Sequence, residues 1–177
     1  MKPIYSLFFI LSLVCVGCNT DPSLQKYFVD NTENSNFLAL DVSPSILNIE
    51  KNKLTADQQT ALASFDKMNI LAFKRTDKND EQYQVENKKL NTILKDKKYQ
   101  QLMKFSSGSS AASVSFIGDD EHINEFVFYA NRKENGFAVV RVLGKDMNAT
   151  NIMTLMQIVQ KSNLDMEQLK PLQQLLK

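Results

Sequence analysis

Two short runs constrain this chain more than any other feature. Ile123 to Ala130 (INEFVFYA) and Phe137 to Leu143 (FAVVRVL) are rich in β-branched and aromatic residues, and Asn135-Gly136 stands between them. That dipeptide supplies the backbone freedom of a hairpin turn, so the two runs read as paired antiparallel strands. Side chains alternate along a strand, so Phe126, Phe128 and Ala130 share one face and Ala138, Val140 and Val142 share one face of the partner. Gly144 ends the second strand.

Leu102 to Phe105 and Val114 to Ile117 extend the hairpin into a meander, with Ser106 to Ser113 (SSGSSAAS) as a flexible, low-complexity loop. Phe37 to Val42 (FLALDV) is a strand apolar on both faces, which places it away from the sheet edge, and Asn69 to Arg75 (NILAFKR) is a second strand. Helices fill the intervals. Asp21-Pro22 is a cap-and-proline start for a helix running to about Thr32, with Leu24, Tyr27 and Phe28 on its apolar side. Ser43-Pro44 opens a short helix through Ile46, Leu47 and Ile49. Thr55 caps the next helix, which turns Ala61, Leu62 and Phe65 inward. After a polar loop (Thr76 to Asp80), Glu81 to Gln100 forms a longer helix with a Leu90, Ile93, Leu94 stripe. Asn148 caps a helix that is apolar almost all round, and Asn163 and Asp165 open a last amphipathic one that Pro171 bends. The order predicts an α+β fold with one mostly antiparallel sheet and helices packed mainly on one face. The first two strands, joined by a helical crossover, suit a parallel pairing.

The N-terminus sets the expected location. Lys2 gives a positive n-region, Ile4 to Val14 is an uncharged apolar run too short to span a bilayer, and Gly17-Cys18 follows. The end resembles a bacterial lipobox, in which a small residue precedes a cysteine that is acylated, with cleavage just before it and an acyl chain such as palmitate on the new amine. Cys15 stands where such signals usually carry leucine. The expected organisation is a signal peptide at 1–17, a lipidated tether at 18–21 and a single domain at 22–177. Several acyl chains hold firmly where one is marginal, so the lipid bilayer is an expected partner through Cys18. Removing residues 1–17 of 177 leaves 160, with the basic count reduced from 21 to 20 against 20 acids. A neutral chain gives no support for nucleic-acid binding. A domain of that length folds without a disulfide. Read as C-x-x-C, Cys15 to Cys18 lacks the strand before and helix after that a redox pair requires.

The whole order resembles a family of Bacteroidota lipoproteins, the domain of unknown function 4252. The residues that carry the resemblance are Phe37 to Ile49, Leu102-Met103-Lys104-Phe105, and INEFVFYA…GFAVVRVLG with its terminal Gly144. It covers about residues 22–170. The resemblance implies an anchored envelope protein with a link to envelope stress or sigma-factor signalling, and it carries over no functional residues.

Candidate chemistry is sparse. His122 is the only histidine and follows Gly118-Asp119-Asp120-Glu121, where a metal would find few ligands. Ser64-Phe65-Asp66-Lys67 matches S-x-x-K, but the S-D-N and K-T-G elements of that acyltransferase class are absent. There is no G-x-S-x-G and no glycine-rich phosphate loop. The lysines from Lys88 to Lys104 read as a solvated helix face rather than a headgroup site. The expected function is a non-catalytic envelope lipoprotein, without cofactor, that binds an envelope protein or small ligand. The expected surface comprises Met153, Met156, Phe126, Phe128 and Tyr129. The rivals are an envelope hydrolase using Ser64 and Lys67 or a metal at Asp119–His122, and a structural spacer.

Overall fold

The structure is a computed structural model that describes residues 22–47 and 53–161. The elements in order are α1 (Leu24–Asn31), β1 (Phe37–Val42), a 3-10 turn (Pro44–Leu47), α2 (Ala56–Ser64), β2 (Phe65–Lys74), α3 (Asp80–Ile93), β3 (Gln100–Ser107), β4 (Ser110–Gly118), β5 (Ile123–Arg132), β6 (Gly136–Met147) and α4 (Ala149–Lys161). Six strands form one sheet in the order β1-β2-β6-β5-β4-β3, and every pairing is antiparallel. The α+β class with a single antiparallel sheet is what the sequence order implied.

Three expectations about that sheet are corrected. β1 and β2 are neighbours, but antiparallel, with Phe37 opposite Phe73 and Val42 opposite Met68. β1 lies at an edge despite its two apolar faces, because α1 covers it: Phe37 and Ala39 pack into the core beside α1. The helices divide between both faces. On the first face α1 and α3 bury Leu24, Tyr27, Phe28, Tyr83, Leu90 and Ile93 against Leu71, Phe73, Val127, Tyr129, Phe137 and Val139. On the second, α2 and α4 bury Ala61, Ile152, Leu155 and Ile158 against Phe116, Phe126, Val142 and Met147. Alternation along the strands makes two apolar faces, and each needs a covering layer.

Local chemistry explains most element ends. Ser23, not Asp21, caps α1: its hydroxyl accepts from the Lys26 amide at 3.2 Å. Thr55 and Gln58 form a reciprocal capping box on α2. Thr55→Ala should lower the unfolding free energy by about 1 kcal/mol, measured as a shifted urea midpoint with an unchanged slope. Phe65, read as the end of that helix, is instead the first residue of β2. α3 stops at Ile93, about two turns before the expected end at Gln100. Asp96 there accepts from the Lys98 amide at 3.0 Å, and Tyr99 turns into the core. The stretch Ser106 to Ser113 is no flexible loop; it forms the facing ends of β3 and β4, with Gly108 at φ +54° making the turn. Asn148 caps α4 as expected, accepting from the Asn151 amide at 2.9 Å. The expected signal segment, Cys18 and the expected last helix fall outside the described residues. Among those described, no helix is long and apolar enough to cross a membrane.

Candidate binding surface

The strand registers align side chains into rows across the second face. Deepest under the helices lie Met68, Val142, Phe126 and Phe116. The next row is Ile70, Val140, Phe128, Val114 and Met103. Then comes Ala72, Ala138, Ala130, Ala112 and Phe105. The outermost row is Lys74, Gly136, Arg132, Ser110 and Ser107. The alanine row forms the floor of an open groove of about 430 Å³. Four methyl groups in succession make a trough between the larger side chains below and the polar row above. Phe105, 56% exposed, closes one end of it.

The groove opens onto a strand whose outer side pairs with nothing among the described residues. β3 is the sheet's second edge, and all eight of its residues are exposed. Leu102, Met103 and Phe105 are large apolar side chains left in solvent there. An edge strand offers unpaired backbone donors and acceptors, and proteins usually blunt such edges. Here the blunting is slight: Lys104 on the opposite face, and a register shift between Gln101 and Met103.

The first face carries most of the buried polar groups. Arg141 forks onto Glu125 with Nε–Oε1 and Nη2–Oε2 distances of 2.8 Å each, both side chains being over 90% buried. The Phe28 ring lies 5.5 Å from that guanidinium, and Asn69, directly opposite Arg141 in the ladder, donates to Asp41. Burial, with the Glu125 carboxylate adding to it, pushes the Tyr99 hydroxyl up to about 12. Nearer the hairpin ends, Tyr129 donates to Asn87 at 2.6 Å and accepts from Asn91 at 3.2 Å, while Tyr83 donates to Asn131 at 2.8 Å. Burial raises the Tyr129 hydroxyl as well. These networks fix α3 on β5, while the Tyr27 hydroxyl and Glu86 Oε2 beside them are buried without a hydrogen-bond partner.

The residues expected to form the surface separate. Phe126 is 1% exposed beneath α4, and Tyr129 is buried on the opposite face. Phe128 is half-buried beside the alanine row. Met153 and Met156 are exposed on the outer side of α4, at 58% and 47%, while Ile152, Leu155 and Ile158 face inward. The helix is thus amphipathic in its setting, although its sequence is apolar almost all round. Neither methionine lines the groove. The alanines and Phe105, which line the groove, are not among the residues the sequence points to. Each alanine lies a few residues from a turn in a different strand, and only the register reveals that they align.

The chemically suggestive motifs are differently disposed. The Ser64 hydroxyl donates to the Ala61 carbonyl at 2.8 Å and accepts from Asn151 at 3.3 Å. Lys67 is exposed on β2, and among the described residues no hydrogen bond joins it to Ser64. Asp119 Oδ1 accepts from the amides of His122 and Glu121 at 2.8 and 3.0 Å, and the His122 ring lies 3.2 Å away. Those backbone donors, the His122 amide first, hold the Asp119 carboxyl below its usual range. The arrangement is a side-chain-closed turn in solvent. Among the described residues no three His, Cys, Asp or Glu side chains gather as a metal site would require.

The family described as Domain of unknown function (DUF4252) matches residues 27–155, from the middle of α1 to the middle of α4. The chain belongs to this family. The matched DUF4252 region contains all six strands, and hence both the groove floor and the open edge. No curated protein matches the chain, and no solved structure matches it.

Proposed function

We propose that this DUF4252 protein is a non-catalytic binding module of the cell envelope. In this reading an acylated Cys18 anchors it, and it engages an envelope protein through the open part of the second sheet face. The observation that carries the binding reading is the continuity of the alanine trough with the exposed edge β3. An extended partner segment adding to that edge would satisfy the strand's unpaired backbone groups, while an apolar side chain of the partner settles against Phe105 and the alanines. The methyl floor limits the site to shallow apolar contact, and Arg132 at its rim favours a segment carrying acidic groups. The anchoring reading is supported by the n-region, the apolar run and the Gly17-Cys18 end.

Crosslinking of the protein in its native envelope tests the binding reading. One dominant partner should be recovered, and Ala130→Phe, which fills the trough at an exposed position, should reduce its recovery at least tenfold while leaving the unfolding temperature unchanged. Equal recovery by the filled variant would overturn the groove as the site. Mass spectrometry should find diacylglycerol on Cys18, and Cys18→Ala should release the protein from membranes; a bare thiol would end the anchoring reading.

A further inference from the structure

The alanine trough is narrow and offers nothing to hydrogen-bond. Rows on one sheet face lie two residues apart along the strands, about 7 Å, so the methyl floor is one hydrocarbon chain wide. It runs from Ala138 across Ala130 and Ala112 to Phe105, three inter-strand spacings or roughly 14 Å. β6, β5 and β4 are interior strands with a ladder on each side. A peptide laid across them would bring amides that meet no partner, at a desolvation cost, whereas an alkyl chain brings none. The rim above the floor is charged. Lys74 and Arg132 stand on either side of Gly136, about 10 Å apart at the backbone. Among the described residues they are the only charged ones that line the groove. Position 136 has to be glycine, since a Cβ there would fall 1.9 Å from the Phe73 carbonyl oxygen. The fold therefore keeps the space between the two cations clear of a side chain. Glu134, in the adjoining turn, is held by its own amide, the Ser109 hydroxyl and the charge of Arg132. Two cations against one acid leave this end of the trough with a single positive charge.

We propose that the trough binds a single-chain alkyl carboxylate, its head over Gly136 between Lys74 and Arg132 and its chain along Ala138, Ala130 and Ala112 toward Phe105. Width selects one chain over two, and the methyl floor selects alkyl over peptide. The single net charge selects a carboxylate over a phosphate monoester, which carries about −1.5 to −2. The inference rests on the trough being the binding surface proposed above, and it does not need a partner strand at β3. A bound chain would also cover the methyl floor against which a partner's apolar side chain settles, so ligand and partner segment compete for the same trough.

The test uses the full chain in vesicles of neutral phosphatidylcholine, with dodecanoate carrying a photo-reactive diazirine at its far end as the probe. Crosslinks mapped by mass spectrometry should concentrate on Phe105 and Ala112, and excess plain dodecanoate should remove them. Lys74→Gln with Arg132→Gln should cut the labelling at least fivefold. Both replaced side chains are exposed, and an unchanged unfolding temperature should show that the fold is intact. The matching dodecanol probe should label the trough at least fivefold less than the acid and be indifferent to the double substitution. Labelling scattered over the protein, equal labelling by the alcohol, or stronger labelling by a dodecyl phosphate probe would overturn the inference. Such a failure, with partner recovery still sensitive to Ala130→Phe, strikes the ligand and leaves the binding surface. Trough labelling, with partner recovery indifferent to Ala130→Phe, strikes the protein partner and leaves the ligand.

Discussion

Replacing Glu125 by alanine should reduce the stability of the domain by about 3–5 kcal/mol, the usual cost of leaving one member of a buried ion pair alone. The Arg141 guanidinium would remain on the first sheet face, under α1 and beside Phe28, with both of its carboxylate bonds gone. For a domain of this size each kcal/mol corresponds to about 2–4 °C in unfolding temperature, so the fall should be roughly 6–20 °C. The paired substitution Glu125→Leu with Arg141→Met removes both charges and should recover most of the loss, since a well-packed apolar pair often matches a buried ionic one. A single-variant loss under 1 kcal/mol by urea unfolding would mean that water reaches the pair.

The second large effect is expected at Gly144. A Cβ at this position would lie 1.9 Å from the Ser64 carbonyl oxygen and 2.8 Å from the Met147 sulfur. The sulfur can swing aside. The carbonyl cannot, because it belongs to the backbone where α2 passes into β2, and Phe65 pairs directly with Gly144. Gly144→Ala should therefore cost about 3 kcal/mol or more, at or beyond the upper end of typical overpacking, and it should disturb the α2–β2 junction. Amide exchange should accelerate at Phe65 and Lys67 before it does at the far end of β2. Uniform acceleration along β2 would show that the clash is relieved elsewhere.

Gly144 also illustrates how far the sequence could be read. In the sequence it reads as the end of the strand; β6 in fact continues to Met147, and the glycine accommodates a neighbouring carbonyl. The hairpin at Asn135-Gly136, the limits of β1 and the caps at Thr55 and Asn148 were legible because each rests on contiguous residues. The direction of β1 against β2, the division of helices between two faces and the edge position of β1 were not, since they depend on which distant strands pair. Ser106 to Ser113 misled for a related reason: small polar residues suit a loop by composition, yet the ladder to β5 holds Ser110 to Ser113 in a strand. The candidate site was the least legible. Phe126 and Tyr129 looked available as aromatic side chains, but alternation sent them to opposite cores. Met153 and Met156 are exposed, as a binding surface needs, but on the outside of α4. The alanines that floor the groove carry no local signal.

The position of β6 has a consequence for how the chain reaches its native state. Among the described strands, the last to be synthesised is the only one that pairs with both β2 on one side and β5 on the other. Until residues 136–147 emerge, the two halves have no shared ladder, and each presents open edges. Closure of the sheet joins residues from 62 (Lys74 and Gly136) to 79 (Phe65 and Gly144) positions apart, a slow kind of step that depends on loop entropy being overcome late. A polypeptide that has not yet reached residue 147 thus lacks the ladder that joins the two parts of the sheet.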